Sequence, residues 1–376
     1  MAQDKDQKTL NVPPLRFPGF TDEWRDSCLL SDCDINPKSS NLEDKFVYLD
    51  LESVEKGELR KYKIIERLDA PSRAQRVLSN NDVLFQCVRP YQQNNYLYRA
   101  DNSRLQWVAS TGYAQLRVKN SSPEFIYHLL STQSFTKKVI VRCTGSNYPA
   151  INSEDLSTIH YQTCSLPEQK KIANFLTLLD ERIATQNKII DNLQSLIKGL
   201  REKFFKGRYP SYISLGEIAQ LYQPKTIATS ELEETGYLVY GANGIIGYYH
   251  SYNHEQPQIC ITCRGNTCGQ VTITEPFSWI TGNAMVVNID TNEDIDQSYL
   301  FHFLSSYNFN PIISGSGQPQ IVRNPLAKIK VPYLEIKEQK KISRVLDSVI
   351  SKIDSEQNML RQFQLQKNYL VNSVFI

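Results

Sequence analysis

The sequence predicts an α+β chain. Two globular, β-rich units are separated by two long antiparallel coiled-coil helices, and the whole forms an internal repeat with pseudo-two-fold character. Three observations predict it. The pentapeptide EQKKI begins at Glu168 and again at Glu338, 170 positions apart. Each copy opens a stretch whose apolar residues alternate by four and three, the mark of a narrow helical seam. The segments before each copy are rich in short strand-like runs broken by turn residues.

The repeat extends well beyond the pentapeptide, and repeats decide architecture before any local reading does. TGSNYPAI (Thr144 to Ile151) aligns with SGSGQPQI (Ser314 to Ile321), and TGYA at Thr111 with TGNA at Thr281, at the same offset of 170. FIYHLLS at Phe125 matches YLFHFLS at Tyr299 at an offset of 174, and RFPGF at Arg16 is echoed by RYPSY at Arg208 at 192. The second copy is therefore 22 residues shorter before its TGNA motif.

In the first helix the seam runs Ile172, Leu176, Leu179, Ile183, Ile190, Leu193, Ile197, Leu200 and Phe204, broken by Gln186. In the second it runs Ile342, Leu346, Val349, Ile353, Leu360, Phe363, Leu370 and Val374, broken by Glu356 and Lys367. Ser165 to Glu168 has a capping-box pattern with proline in the first turn, and Gly207 and Pro210 mark the end. At 1.5 Å per residue, helices of about 39 residues reach about 58 Å. So narrow a seam demands a partner helix. The other copy is the natural one and makes the pair antiparallel, although periodicity alone equally allows pairing with a second molecule.

DVLFQCVR (Asp82 to Arg89) and PQICITCR (Pro257 to Arg264) read as strands, NNDV and GANG as turns, and EFIYHLLS as a short helix. A chain of 376 residues exceeds a single core. No apolar run is long enough to span a bilayer and the first residues are polar, so a cytosolic protein is expected. Its eight cysteines are expected to be reduced and mostly packed. Net charge is +2, unevenly spread: residues 60–89 form a basic stretch, whereas 209–334 carry 10 acidic against 5 basic groups. Those acids, among them Glu231, Glu233, Glu234, Glu293, Asp294 and Asp296, count against a polyanion partner unless they lie away from it.

A search for catalytic motifs finds no phosphate-binding loop, dinucleotide fingerprint or nucleophile elbow. His250, His254, Cys260, Cys263 and Cys268 lie close together with a Cys-x-x-Cys spacing. Cys260 and Cys263 fall on an expected strand, however, where cysteine is a small buried hydrophobe, and no metal is expected. His128 and His302 recur on equivalent helices and read as packed, hydrogen-bonded residues. The loops Arg89 to Arg99 and Tyr240 to His254 interleave aromatics, amides and bases. Such side chains can pair with base edges, and they also occur on ordinary polar surface.

LRFPGFTDEW (Leu15 to Trp24), the paired TGS/SGS loops and LPEQKKIANFLTLLDERIATQNKII with its second copy resemble the specificity subunit of type I restriction-modification systems. The resemblance covers essentially the whole chain. It implies a first target-recognition domain over 1–165, a spacer helix over 166–207, a second target-recognition domain over 208–335 and a second spacer helix over 336–376. It also implies a non-catalytic reader of double-stranded DNA. Each domain would bind half of a bipartite site, and the helices would set the spacer and dock two methylation (M) subunits, with restriction (R) subunits joining them. No cofactor is expected in this chain; S-adenosylmethionine, ATP and Mg would serve the partners.

On position in divergent loops beside strands, Arg73, Arg76, Gln86, Arg89, Tyr91, Asn94, Ser146 and Tyr148 are expected to face DNA in the first domain. In the second, Tyr240, Asn243, Arg264, Asn266, Ser316 and Gln318 are the counterparts. A two-headed coiled-coil protein-binding scaffold fits the heptads and aromatic loops as well, and a methyltransferase or nuclease would need motifs that are missing.

Overall fold

The computed structural model describes residues 11–100, 104–242, 244–315 and 317–376. They form two compact units, one comprising residues up to 186 together with 359–376, the other 187–358. Each long helix thus contributes one half to each unit. This division cuts across the four segments expected from the sequence, because the helix ends are part of the cores.

In the first unit, one four-stranded sheet has the order Lys63–Glu66, Lys45–Leu49, Gln106–Ser110, Ala74–Val77. A second has the order Cys33–Ile35, Tyr113–Val118, Val83–Gln86, Tyr96–Leu97. The Thr111-Gly112 turn of the TGYA motif passes the chain from one sheet to the other. All pairings are antiparallel except that of Gln106–Ser110 with Lys45–Leu49.

The second unit repeats this plan. Its sheets have the orders Gly244–Tyr249, Tyr237–Gly241, Trp279–Ile280 and Gln220–Tyr222, Ala284–Asn288, Ile259–Thr262, Val271–Ile273. The parallel pair recurs at the matching place, between Tyr237–Gly241 and Trp279–Ile280. Among the described residues, the small hairpin Val54–Glu55/Glu58–Leu59 has no counterpart, and the strand Ala74–Val77 is reduced in the second unit to a single antiparallel bridge between His254 and Ser278. The missing hairpin lies within the stretch where the second copy is shorter.

The long helices span Leu166–Phe205 and Ile336–Val374, the first ending two residues before the expected boundary. Every expected seam residue is buried or half-buried, and so are Gln186, Glu356 and Lys367, where the apolar pattern breaks. In the first unit the pairing is antiparallel: Lys367 forms an ion pair with Asp180, and the Arg182 guanidinium lies 5.2 Å from the Phe363 ring. Ile172, Ala173 and Leu176 share a core with Leu370, Val371, Val374 and Phe375. In the second unit Ile197 and Phe205 share a core with Leu346 and Ile353. The repeat reaches individual contacts. Phe375 packs on Phe125 at 5.0 Å in one unit, and Phe205 on Tyr299 at 5.4 Å in the other.

The repeated pentapeptide is explained by its glutamine. Gln169 is buried; its Oε1 accepts from Ser122 N–H at 2.9 Å and Ser121 Oγ at 2.7 Å, and its Nε2 donates to Thr163 Oγ1 and Cys164 O. Gln339 does the same in the second unit, accepting from Asp296 N–H at 2.9 Å and donating to Asp294 O and Leu334 O. Ser122 and Asp296 are the N-caps of the short helices Pro123–Leu129 and Gln297–Ser306. Each glutamine ties a long helix, the strand before it and a short helix cap through one carboxamide. Glu168, which the capping-box pattern assigns to the helix start, instead gives both oxygens to Arg16 at 2.7 and 2.8 Å.

His128 and His302 are buried joints of the same kind. His128 Nε2 meets Thr177 Oγ1 at 3.2 Å, and burial pushes its pKa down to about 3. His302 Nε2 meets Asp347 at 2.9 Å, while its Nδ1 accepts from Arg201.

Candidate nucleic-acid interface

The strand Val83–Gln86 runs out into Cys87 and Val88, and the chain then turns at Arg89, which has left-handed backbone angles. A short 3-10 turn, Pro90–Gln92, follows, and Gln93 is left-handed as well. A hairpin from Thr144 to Ala150 is clamped to this strand end. Thr144 and Ala150 exchange backbone bonds at 2.9 Å, Arg89 N–H donates to Pro149 O at 2.8 Å, and Ile151 N–H donates to Cys87 O at 3.1 Å. The turn and hairpin bound an open cleft of about 660 Å³.

Four of the residues expected to face DNA line this cleft: Gln86, Arg89, Asn94 and Tyr148. Arg73, Arg76, Tyr91 and Ser146 do not. Gln86 is buried and its carboxamide is committed to the loop, accepting from Asn94 N–H at 3.1 Å and donating to Gln92 Oε1 at 2.9 Å. It shapes the floor. Arg76 is half-buried; desolvation lowers its pKa, and its Nε finds no hydrogen-bond acceptor. Tyr148 stands 64% exposed with the Arg89 guanidinium 4.4 Å above its ring.

The front of the basic stretch is neutralised at short range. Arg60 pairs with Glu58 at 2.8 Å, Lys61 with Glu52 at 2.9 Å and Lys63 with Asp50 at 3.0 Å. Burial raises the Asp50 carboxyl, but hydrogen bonds from Lys63 and Ser53 outweigh it and hold the pKa below its ordinary value. Among the described residues Arg73, Arg76 and Arg89 have no acidic partner.

The second unit carries the same clamp. Ser314 and Gln320 exchange backbone bonds at 2.8 Å, Gly265 N–H donates to Pro319 O at 3.0 Å, and Ile321 N–H donates to Cys263 O at 3.0 Å. Arg264 bridges to Gln320 as Val88 bridges to Ala150. It is therefore the equivalent of Val88, and Gly265 is the equivalent of Arg89. Gly145 and Gly315 have φ of +91° and +93°, and a Cβ on either would run into the carbonyl of Tyr148 or Gln318.

Arg264, Asn266 and Gln318 are exposed on adjoining turns. Tyr240 corrects the expectation. It is 7% exposed, packs with Cys260, Ile280, Ala284 and Val286, and its hydroxyl accepts from Glu275 N–H at 3.1 Å. A register shift between Val239 and Tyr240 breaks the alternation that would have shown this. Asn243 and Ser316 lie outside the described residues.

The second unit's acids are partly structural. Glu217 and Glu231 accept from the N–H groups of Ser214 and Ala228 at 2.8 and 2.7 Å, and Asp296 accepts from Tyr299 N–H at 2.9 Å. Of the His/Cys group, His254 bonds to Tyr222 at 2.8 Å and His250 to Glu233 at 2.9 Å. Cys260, on the strand Ile259–Thr262, and Cys263, just past its end, pack into different cores. Among the described residues no group of three or more His, Cys, Asp or Glu has the arrangement to hold a metal ion. Gln223 was not singled out by sequence, yet its Nε2 donates to Gly282 O and Cys263 Sγ at 2.9 Å and pins the TGNA turn.

The model of the type I restriction modification DNA specificity domain matches this chain twice, over residues 34–195 and 211–364. The EcoprrI type I restriction enzyme specificity subunit of Escherichia coli is 30% identical over 139 residues, 36% of this chain and 34% of that protein. The chain thus spans about a third of that relative's length. The MjaVIII specificity subunit of Methanocaldococcus jannaschii is 23% identical over 316 residues, covering 70% of this chain and 72% of that protein. The crystal structure of a type I restriction-modification system S subunit from M. genitalium shares the fold, with TM-score 0.68 and 18% identity over 97% of this chain and 99% of that one. With its two matches taking in most of the sequence, the chain belongs to the type I restriction modification DNA specificity domain family.

Proposed function

We propose that this chain is a DNA-reading subunit without a catalytic site of its own. Each unit reads one half of a bipartite site in double-stranded DNA; the paired helices set the spacer and dock two methylation subunits, which restriction subunits join. S-adenosylmethionine, ATP and magnesium serve those partners, and the assembly works in the cytoplasm. The observation that carries this reading is one frame displaying two different faces. The hairpin clamp is the same in both units, yet it presents Arg89 and Tyr148 in one and Gly265 and Gln318 in the other. Readers of equal geometry with different donors and acceptors select different base sequences, and linking them makes the second contact effectively intramolecular. With a net charge of only +2, much of the phosphate neutralisation falls to the partners.

The test is to express the chain with methylation subunits and map adenine methylation across the host genome. Modification confined to a two-part motif with a fixed gap is expected. Methylation that follows no motif, together with DNA binding that is insensitive to salt, would leave only a protein-binding scaffold.

A further inference from the structure

The two hairpin clamps close on different residues at one backbone position. In the second unit it is Gly265, at φ +86°. In the first it is Arg89, at φ 55° and ψ 53°. The left-handed region is open to glycine and disfavoured for any residue with a Cβ. Arg89 therefore carries a strain that the second unit avoids, and strain held in place by its surroundings concentrates at functional sites.

The side chain that this strain retains is prepared for a ligand. Its guanidinium carbon lies over the Tyr148 ring, 4.4 Å from the centroid, in a cation–π contact, and Tyr148 sits on a hairpin held by its own backbone bonds. The other cations lining the cleft are matched, Arg60 by Glu58 and Glu55 and Lys61 by Glu52. Among the described residues Arg89 forms no ion pair, and its side chain makes no hydrogen bond. A guanidinium braced on one face keeps its edge free, and that edge carries two parallel N–H donors. These match O6 and N7 of guanine, and bracing reduces the ordering cost of using them.

We infer that Arg89, braced by Tyr148, is the guanine-reading side chain of the first unit, and that the second unit has no arginine in this role. The inference rests on the DNA-reading proposal above. It commits the first half-site to a G·C pair at one position.

The test uses the full chain with its methylation subunits, selecting sites from random DNA at two salt concentrations. Arg89→Gly copies the second unit's residue into the first. It is expected to unfold at a temperature no lower than the parent's, because left-handed strain is relieved, while losing about 10- to 100-fold of the preference for one G·C pair in one half-site. The other half-site stays intact. Arg89→Lys keeps charge without the fork and recovers only part of the preference. Tyr148→Ala, on the exposed hairpin, gives the same loss with the fold retained. An unchanged motif in all three overturns the inference. So does a uniform loss of affinity with a salt slope shallower by about 1, which marks a phosphate contact. A parent that selects no motif defeats the DNA-reading proposal and this inference with it, and that outcome is seen before any variant is made.

Discussion

Gln169 and Gln339 each satisfy a helix cap and a strand end with one side chain, and such a group is costly to remove because its partners stay buried. Leaving a buried donor unpaired costs about 1–3 kcal/mol. Gln169→Ala should therefore open the first unit locally: hydrogen exchange at Ser122 to Leu129 speeds up while Gln297 to Ser306 stays protected, and Gln339→Ala does the reverse. Equal protection in both variants would show that the carboxamides are dispensable. His128 makes a second prediction. Burial depresses its pKa to about 3, while the unfolded chain titrates near the ordinary value of about 6.5. As pH falls below about 6.5 the unfolded state takes up a proton that the folded state refuses, so stability is lost progressively down to about pH 3. His128→Gln removes that slope from the first unit. Equal acid sensitivity in parent and variant, read by exchange in the first unit, would assign the loss to other groups.

The long helices were legible because their signal is local: a seam repeating every seven residues can be read without knowing the fold, and even its breaks at Gln186 and Glu356 proved buried. The strand ladders were legible only as runs. Which strand lies beside which depends on contacts far apart in sequence, so the clamp between residues 87–89 and 149–151 was out of reach, and the bulge at Tyr240 reversed one assignment outright. The front of the basic stretch misled because the acids that match Arg60, Lys61 and Lys63, namely Glu58, Glu52 and Asp50, lie just before it and meet it only once the sheet forms. At this scale the helices can be lengthened without disturbing either unit. Seven residues added after Lys188 and after Asn358 fall between the halves that each core holds. They lengthen a helix by about 10.5 Å, about three base pairs at 3.4 Å each, and turn one half-site by around 100° relative to the other. Both units should keep their exchange protection while the selected gap changes or affinity drops. The original gap at undiminished affinity would show that the helices do not measure it.

At the scale of the whole molecule, the two units have separate cores and separate clamps, so their specificities should be exchangeable. Replacing residues 209–334 with the corresponding segment of a relative should change one half of the methylated motif and leave the other as it was. A change in both halves would mean the units do not read independently. Their autonomy is unequal in time, however. The second unit is one continuous segment, complete once Asn358 has been made. The first unit has Phe375 against Trp24 and Phe125 at 6.4 and 5.0 Å, so its core waits for residues synthesised after the entire second unit. On the ribosome the first sheets to emerge are the last to be sealed, and throughout that interval an apolar face stays open to wrong partners.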